Sequence, residues 1–124
     1  MFTNYVAGFV FRKEGTEVAL IKKNKPDWQR GKLNGVGGKV EPFDDSDHQA
    51  MAREFREETG VTTQAGQWSE IAELNCADAT ITFFVYRPGG DGMVLQNITD
   101  EAVDWYRVRD LPSSGTLPGW TRKA

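Results

Sequence analysis

The chain has few of the residues that would place it outside the cell or in a membrane. It carries one cysteine, Cys76, in 124 residues, so no internal disulfide can form. No apolar run approaches the roughly 20 residues that span a bilayer. The opening MFTNYVAGFVF has neither the basic leader nor the small-residue cleavage site of a signal peptide. We therefore expect a cytoplasmic protein in a reducing compartment, without a membrane partner.

An excess of positive charge is also absent. The formal net charge is −3 and the pI is near 5.2, which argues against binding a nucleic-acid polymer through a basic face. The bases are nevertheless unevenly spread, because residues 22–39 contain a single acid, Asp27, among Lys22, Lys23, Lys25, Arg30, Lys32 and Lys39. This cluster is either a solvated connecting loop or a cationic rim that attracts a polyphosphate.

The length and composition fit one domain, residues 1–124, with 39% hydrophobic residues to build a core. Apolar runs predict five strands, at residues 5–11, 18–23, 68–74, 79–87 and 102–108. The first two flank RKEGTE and are expected to form a hairpin. One strong helix is predicted from about residue 46 to residue 59, since Ser46 and Gln49 have capping-box spacing and Gly60 follows the helix.

Three glutamates, Glu54, Glu57 and Glu58, crowd the second half of this helix. Like charges at such spacings repel by about 0.2 to 0.5 kcal/mol per pair. The three fall within an arc of roughly 100°, beside the arc of Met51 and Phe55, so they should line the edge where the helix meets the sheet. Oxygen ligands there suit Mg²⁺ or Mn²⁺, and Mg²⁺ commonly shares its ligands with phosphates. The pattern predicts phosphate chemistry.

The segment LNGVGGKVE precedes the helix and is predicted to be a glycine-rich loop that allows its backbone to approach a ligand. It matches neither common nucleotide-binding fingerprint. Val40 stands where the P-loop requires Ser or Thr, and it also breaks the G-x-G-x-x-G pattern that begins at Gly35. A P-loop site and a Rossmann site are therefore excluded.

The residues around this helix resemble a known motif. Nudix hydrolases carry G-x5-E-x7-R-E-U-x-E-E-x-G-U, where U is a bulky apolar residue, and REFREETGV at residues 53–61 matches its second half at every defined position. Gly38 matches its start. The resemblance is weaker over the rest of the chain. It implies an α/β fold in which a mixed β-sheet packs between helices as an α/β/α sandwich. The tail SSGTLPGWTRKA predicts that the C-terminal helix is short or absent.

The resemblance implies a metal site and a reaction. The ligands of Mg²⁺, or of Mn²⁺, would be Glu54, Glu57, Glu58 and the carbonyl of Gly38. Either one of these glutamates or a hydroxide held by the metal would deprotonate the attacking water. The metal and nearby Lys or Arg side chains would stabilise the phosphoryl transition state, and Arg53 is a candidate catalytic residue beside the three glutamates. Glu101, or Asp100 beside it, resembles an extra acid that some family members bring from a late loop, although a surface acid at a turn is the commoner explanation.

One residue is inserted in the motif between Gly38 and Arg53. In the family, an acid from this segment pairs with the arginine and braces the helix. Counting from Gly38 selects Asp44, whereas counting from the helix selects Asp45. We favour Asp44 as the partner of Arg53, because the segment must bring the Gly38 carbonyl to the metal.

Residues for substrate binding are predicted in and beside the cationic cluster. Asn34 resembles a base-reading asparagine of MutT-type oxidised-nucleotide pyrophosphatases, although asparagine beside glycine is equally typical of a turn. Trp28 or Trp120 could stack on a base, with ordinary packing as the alternative. Lys39 and Arg30 are the candidate phosphate contacts.

The sequence therefore predicts a Mg²⁺-dependent Nudix pyrophosphohydrolase that acts on a nucleoside triphosphate or a related nucleoside diphosphate derivative, as a monomer or homodimer. One alternative is a Nudix hydrolase of ADP-ribose or of dinucleotide polyphosphates. The other is a non-catalytic Nudix domain that senses a nucleotide, against which the presence of all three glutamates argues.

Overall fold

A mixed sheet carries one α-helix in the part of the chain that the structure describes. This computed structural model describes residues 2–25 and 27–111. The strands in chain order are β1 (Thr3–Arg12), β2 (Glu17–Lys22), β3 (Leu33–Asn34), β4 (Val36–Lys39), β5 (Ser69–Asn75), β6 (Ala79–Tyr86) and β7 (Val103–Arg107), and the helix α1 (Asp47–Thr59) follows β4. The predicted α/β class with a mixed sheet is confirmed.

Strand β1 is the centre of the sheet. One edge of β1 pairs in parallel with β6, and its other edge is shared, because its first half pairs with β4 and its last residues pair with β2. Strand β2 in turn pairs with β7 and β3. β1 and β2 therefore diverge, and β3 and β4 fill the gap between them. There β4 pairs with the open edge of β1 and β3 with that of β2, which satisfies backbone hydrogen-bonding groups of β1 and β2.

The glycine-rich segment was expected to be a loop, and this expectation is wrong. Residues 33–39 form β3 and β4, which are joined at Gly35. Their strand character depends on partners distant in sequence, since β4 pairs with β1 and β3 with β2. The five predicted strands are all present, with ends that differ by at most two residues. The hairpin of β1 and β2 is also present.

Helix α1 begins after Ser46 and ends before Gly60, as the caps predicted. Ser46 Oγ accepts a hydrogen bond from the Gln49 amide at 3.1 Å, and Gly60 closes the helix with φ 77°. The Gln49 side chain does not complete the reciprocal capping box, because its Oε1 accepts from the Asp45 amide at 3.1 Å. The cap therefore also holds the residue before Ser46.

The sheet buries apolar side chains on both of its faces. Met51 and Phe55 of α1 are fully buried against Val6, Val10 and other residues of one face. Alternate residues of β1 point the other way, where Ala7 packs with Ile81 and Phe83. The predictions about a short C-terminal helix and about Trp120 concern residues 112–124, which lie outside the described residues. No described helix has the length and apolar character needed to cross a membrane.

A substitution at Gly37 tests how closely β4 packs against β1. A Cβ atom on Gly37 would lie 1.9 Å from the Val6 carbonyl oxygen, which is backbone and cannot turn aside. We expect Gly37→Ala to lower the free energy of unfolding by about 2 kcal/mol or more, because the two strands must separate. Chemical denaturation measures this loss. The matched control is Gly66→Ala, which meets no atom within 4 Å and should be neutral. Equal stability of the two variants would contradict the observed pairing.

Candidate active site

The three glutamates of α1 lie in different environments. Glu54 is buried with 8% exposure, and Glu58 is partly buried. The side chain of Glu57 is 51% exposed, so the expectation that all three line the helix–sheet boundary is wrong for this residue. The reason is its position three residues after Glu54, which places it about 60° from Glu54 around the helix, on the side away from the buried Met51 and Phe55.

Gly38 lies directly against the Glu54 side chain. A Cβ atom at Gly38 would be 2.6 Å from Glu54 Oε1, so only glycine allows β4 and this carboxyl group to approach so closely. The first and second halves of the motif, residue 38 and residues 53–61, are therefore in contact. This contact places the Gly38 backbone beside the carboxyl group.

The electrostatics of the glutamates favour a bound cation. Burial raises the pKa of Glu54 to about 7; the Arg53 guanidinium opposes this effect, while the charges of Glu57 and Glu58 add to it. Burial also raises the pKa of Glu58, although the Thr99 hydroxyl donates a hydrogen bond to its Oε1 at 2.9 Å. A cation beside these groups would favour their ionised forms.

Arg53 joins the helix to the preceding segment. Its Nε and Nη2 donate to the two Asp44 carboxylate oxygens, each at 2.8 Å. Nη2 also donates to the Lys39 carbonyl at 3.0 Å, and Nη1 lies 3.2 Å from both Glu54 and Glu57. The partner of Arg53 is thus Asp44, the acid selected by counting from Gly38. The Arg53 hydrogen bonds hold the pKa of Asp44 below its usual value.

The Glu101 carboxylate is occupied by the segment that follows β2. It accepts from Lys23 Nζ at 3.1 Å, from the Asn24 amide at 2.7 Å and from the Lys25 amide at 3.3 Å. Burial alone would raise the pKa of Glu101, but these hydrogen bonds outweigh burial and lower it. Thr99 links this acid to the helix, because its hydroxyl donates to Glu58 and accepts from the Glu101 amide at 3.2 Å.

The glutamates have the oxygen donors that a divalent cation needs, but their side chains do not converge on a common position. Among residues 2–25 and 27–111, no three His, Cys, Asp or Glu side chains are arranged to hold a metal ion. Glu57 is turned toward Arg53, and Glu58 toward Thr99. An exposed ion pair such as Arg53–Glu57 contributes only about 0 to 1 kcal/mol, so replacing it by a metal contact would cost little. All the donors are oxygen atoms, which Mg²⁺ prefers.

A cavity of about 390 Å³ begins at Gly38 and extends along the sheet. Its lining includes Tyr5, Lys23, Trp28, Gln29, Asn34 and Gly38. Two of the four predicted substrate residues, Trp28 and Asn34, therefore line it. Lys39 and Arg30 are not among its lining residues. The Lys39 carbonyl accepts from Arg53, and Arg30 Nη2 is paired with Asp27 Oδ1 at 2.8 Å in solvent.

Several residues at this site were not singled out from the sequence. Gln29 and Tyr5 line the cavity, and Thr99 contacts Glu58. Gln29 is only 8% exposed, although glutamine is usually a solvated residue. The one available signal was its place beside Trp28 in the cationic cluster.

Comparison with known proteins gives the family. The family model described as the NUDIX domain matches residues 1–123, so the chain belongs to the Nudix family, as the motif predicted. It is 30% identical over 114 residues to a Caenorhabditis elegans protein named as a nudix hydrolase. The aligned region covers 90% of this chain and 31% of that protein. The chain is also 30% identical over 81 residues to the 8-oxo-dGTP diphosphatase of Escherichia coli strain K12, covering 65% of this chain and 62% of that protein.

A solved structure shows the same fold. The MutT NUDIX hydrolase of Burkholderia pseudomallei superimposes with a TM-score of 0.74 over 98% of this chain and 93% of its own, at 20% identity. At this identity the likeness concerns the fold alone. The aligned part of the chain spans 31% of the length of the Caenorhabditis elegans protein and 62% of that of the Escherichia coli protein.

The Arg53–Asp44 pair is predicted to be energetically coupled. The Asp44 side chain is 3% exposed and that of Arg53 is 13% exposed. Arg53→Ala should cost about 3 to 5 kcal/mol of unfolding free energy, because a buried carboxylate loses its partner. Asp44→Ala should cost less, since Arg53 keeps Glu54 and Glu57. The double variant should lose less than the sum of the two single variants, as measured by denaturant unfolding.

Asp45→Ala is the matched control for this cycle. Asp45 is an exposed neighbour whose backbone amide, not its carboxylate, makes the described hydrogen bond. Its effect should therefore add to that of Arg53→Ala within about 0.5 kcal/mol. Strong coupling of Arg53 to Asp45 with none to Asp44 would contradict the pairing.

Proposed function

We propose that this chain is a Mg²⁺-dependent Nudix pyrophosphohydrolase that cleaves the diphosphate linkage of a nucleoside triphosphate or a related nucleoside diphosphate derivative. The observation that supports this proposal most is one of position: Gly38 contacts Glu54 and also lines the cavity. A ligand in the cavity that reaches Gly38 would therefore lie close to the Glu54 carboxyl group. The similarity to an 8-oxo-dGTP diphosphatase makes an oxidised purine nucleotide the first substrate to try.

The proposed ligands of the cation, Mg²⁺ or Mn²⁺, are Glu54, Glu57, Glu58 and the Gly38 carbonyl. The cation, when bound, would neutralise the charge that develops on the transferred phosphoryl group. One of the three glutamates would take the proton of the attacking water. Arg53 would act chiefly as a brace, because its contacts to Asp44 and the Lys39 carbonyl hold α1 against β4.

Glu101 is better suited to anchoring than to metal binding. Lys23 and the amides of Asn24 and Lys25 already occupy its carboxylate oxygens. We propose that it fixes the segment from β2 to Trp28 and that it joins the metal ligands only if those hydrogen bonds are released. A cytoplasmic location and a monomeric or homodimeric state stay predictions.

A substrate panel tests the proposed function. The panel contains 8-oxo-dGTP, the common nucleoside triphosphates, ADP-ribose and a dinucleotide polyphosphate, each with Mg²⁺ and with identification of the products. Hydrolysis of a triphosphate to a monophosphate and pyrophosphate supports the proposal. Preference for ADP-ribose or a dinucleotide polyphosphate would instead support the alternative substrate class. Binding of nucleotides without turnover would support a non-catalytic sensor domain.

The metal site gives a second prediction. Glu58→Gln should lower turnover by about two orders of magnitude or more, because a cation ligand loses its charge. The fold should be kept, since relieving repulsion between like charges does not destabilise the helix. Phosphate release and circular dichroism measure the two effects. The control is Glu73→Gln, at an exposed position of β5, which should have wild-type turnover. Full activity of Glu58→Gln, or of the wild type in EDTA, would disprove the assignment.

A further inference from the structure

Gln29 has an unusual environment for a residue of a surface turn. It ends the short 3₁₀ turn Asp27–Gln29, yet it is 8% exposed. Its Oε1 is out of contact with solvent and has no hydrogen-bond partner among the described residues. A buried carbonyl without a donor costs about 1 to 3 kcal/mol. Gln29 therefore carries an unused acceptor while its residue lines the cavity.

The neighbours of Gln29 in the cavity are suited to a flat heterocycle. Trp28 is 57% exposed although it lines the same cavity, so its ring is available for stacking. Asn34 is 3% exposed, and its Oδ1 accepts from the Gly35 amide at 2.7 Å. The Asn34 Nδ2 is therefore the donor that this side chain can offer. With Gln29 Oε1 as acceptor, the residues that line the cavity include a donor and an acceptor, the two kinds of group that can pair with the ring nitrogens and N–H groups of a purine.

We infer that Gln29 is a specificity-determining residue, whose side-chain carbonyl accepts a hydrogen bond from an N–H group of a purine base. This inference rests on the proposed function, since it assigns the base end of the same substrate. Because Oε1 has no hydrogen bond to a described residue, directing this oxygen toward the base breaks no hydrogen bond that Oε1 makes with those residues. A substrate without the N–H group would leave the acceptor unpaired, so discrimination follows.

The experiment removes the acceptor from the protein and the donor from the base. Four triphosphates are compared in Mg²⁺: 8-oxo-dGTP, dGTP, dATP and purine 2′-deoxyriboside triphosphate, whose base carries no N–H. In the wild type at least one of the first three should have a higher kcat/KM than the last. Gln29→Met should reduce this preference by about five- to thirtyfold and leave kcat/KM for the purine deoxyriboside triphosphate within about twofold.

Thermal stability separates recognition from a structural role. Gln29→Met removes an unpaired buried oxygen, so its Tm should equal or exceed that of the wild type. A residue that mainly supports the fold would instead lower the Tm and the kcat/KM of all four substrates together, which would overturn the inference. Gln29→Glu retains an oxygen acceptor and should retain much of the preference. Gln96→Met makes the same chemical change at an exposed position and should have no effect.

Two failures are distinguishable. If the wild type hydrolyses these substrates and Gln29→Met keeps the full preference, the role of Gln29 is overturned and the proposed function stands. If the wild type hydrolyses none of the four and none of the other candidate substrates, the proposed function fails, and the inference fails with it.

Discussion

The Arg53–Asp44 ion pair is the interaction on which the rest of the site depends. Through one guanidinium, Arg53 contacts the segment before the helix, the Lys39 carbonyl of β4 and two glutamates of its own helix. Bidentate pairing fixes distance and orientation together. Because α1 is thereby held on β4, Gly38 stays against Glu54. A lysine could not make this set of contacts, since it lacks the planar fork.

The acids of the site destabilise the fold. Three acids on adjacent turns repel one another, and burial raises the pKa of Glu54 and of Glu58. Arg53 and the Thr99 hydroxyl offset part of this repulsion. The structure thus keeps the acids crowded by surrounding them with groups that can be exchanged. Strain of this kind concentrates where a ligand is expected, because a ligand that relieves it gains affinity.

Much of the fold could be predicted from local patterns, whereas contacts across the chain could not. The ends of α1 follow from Ser46 and Gly60, and the strands that were predicted are those with continuous or alternating apolar residues. Strands β3 and β4 are short and rich in glycine, and their pairing depends on the divergence of β1 and β2. The motif located the glutamates, but not the exposure of Glu57. The burial of Gln29 depends on tertiary packing, which a single glutamine in a loop does not reveal.

Residues 99–101 connect the two halves of the site. The Thr99 hydroxyl contacts Glu58 on α1, while Glu101 holds the backbone of Asn24 and Lys25. That backbone precedes the turn with Trp28 and Gln29, which line the cavity. A shift of Thr99 would thus displace an acid of the proposed metal site and the cavity wall that is proposed to contact the base. In the proposed function, metal binding and base recognition would both depend on this short segment, so a substitution there should alter both.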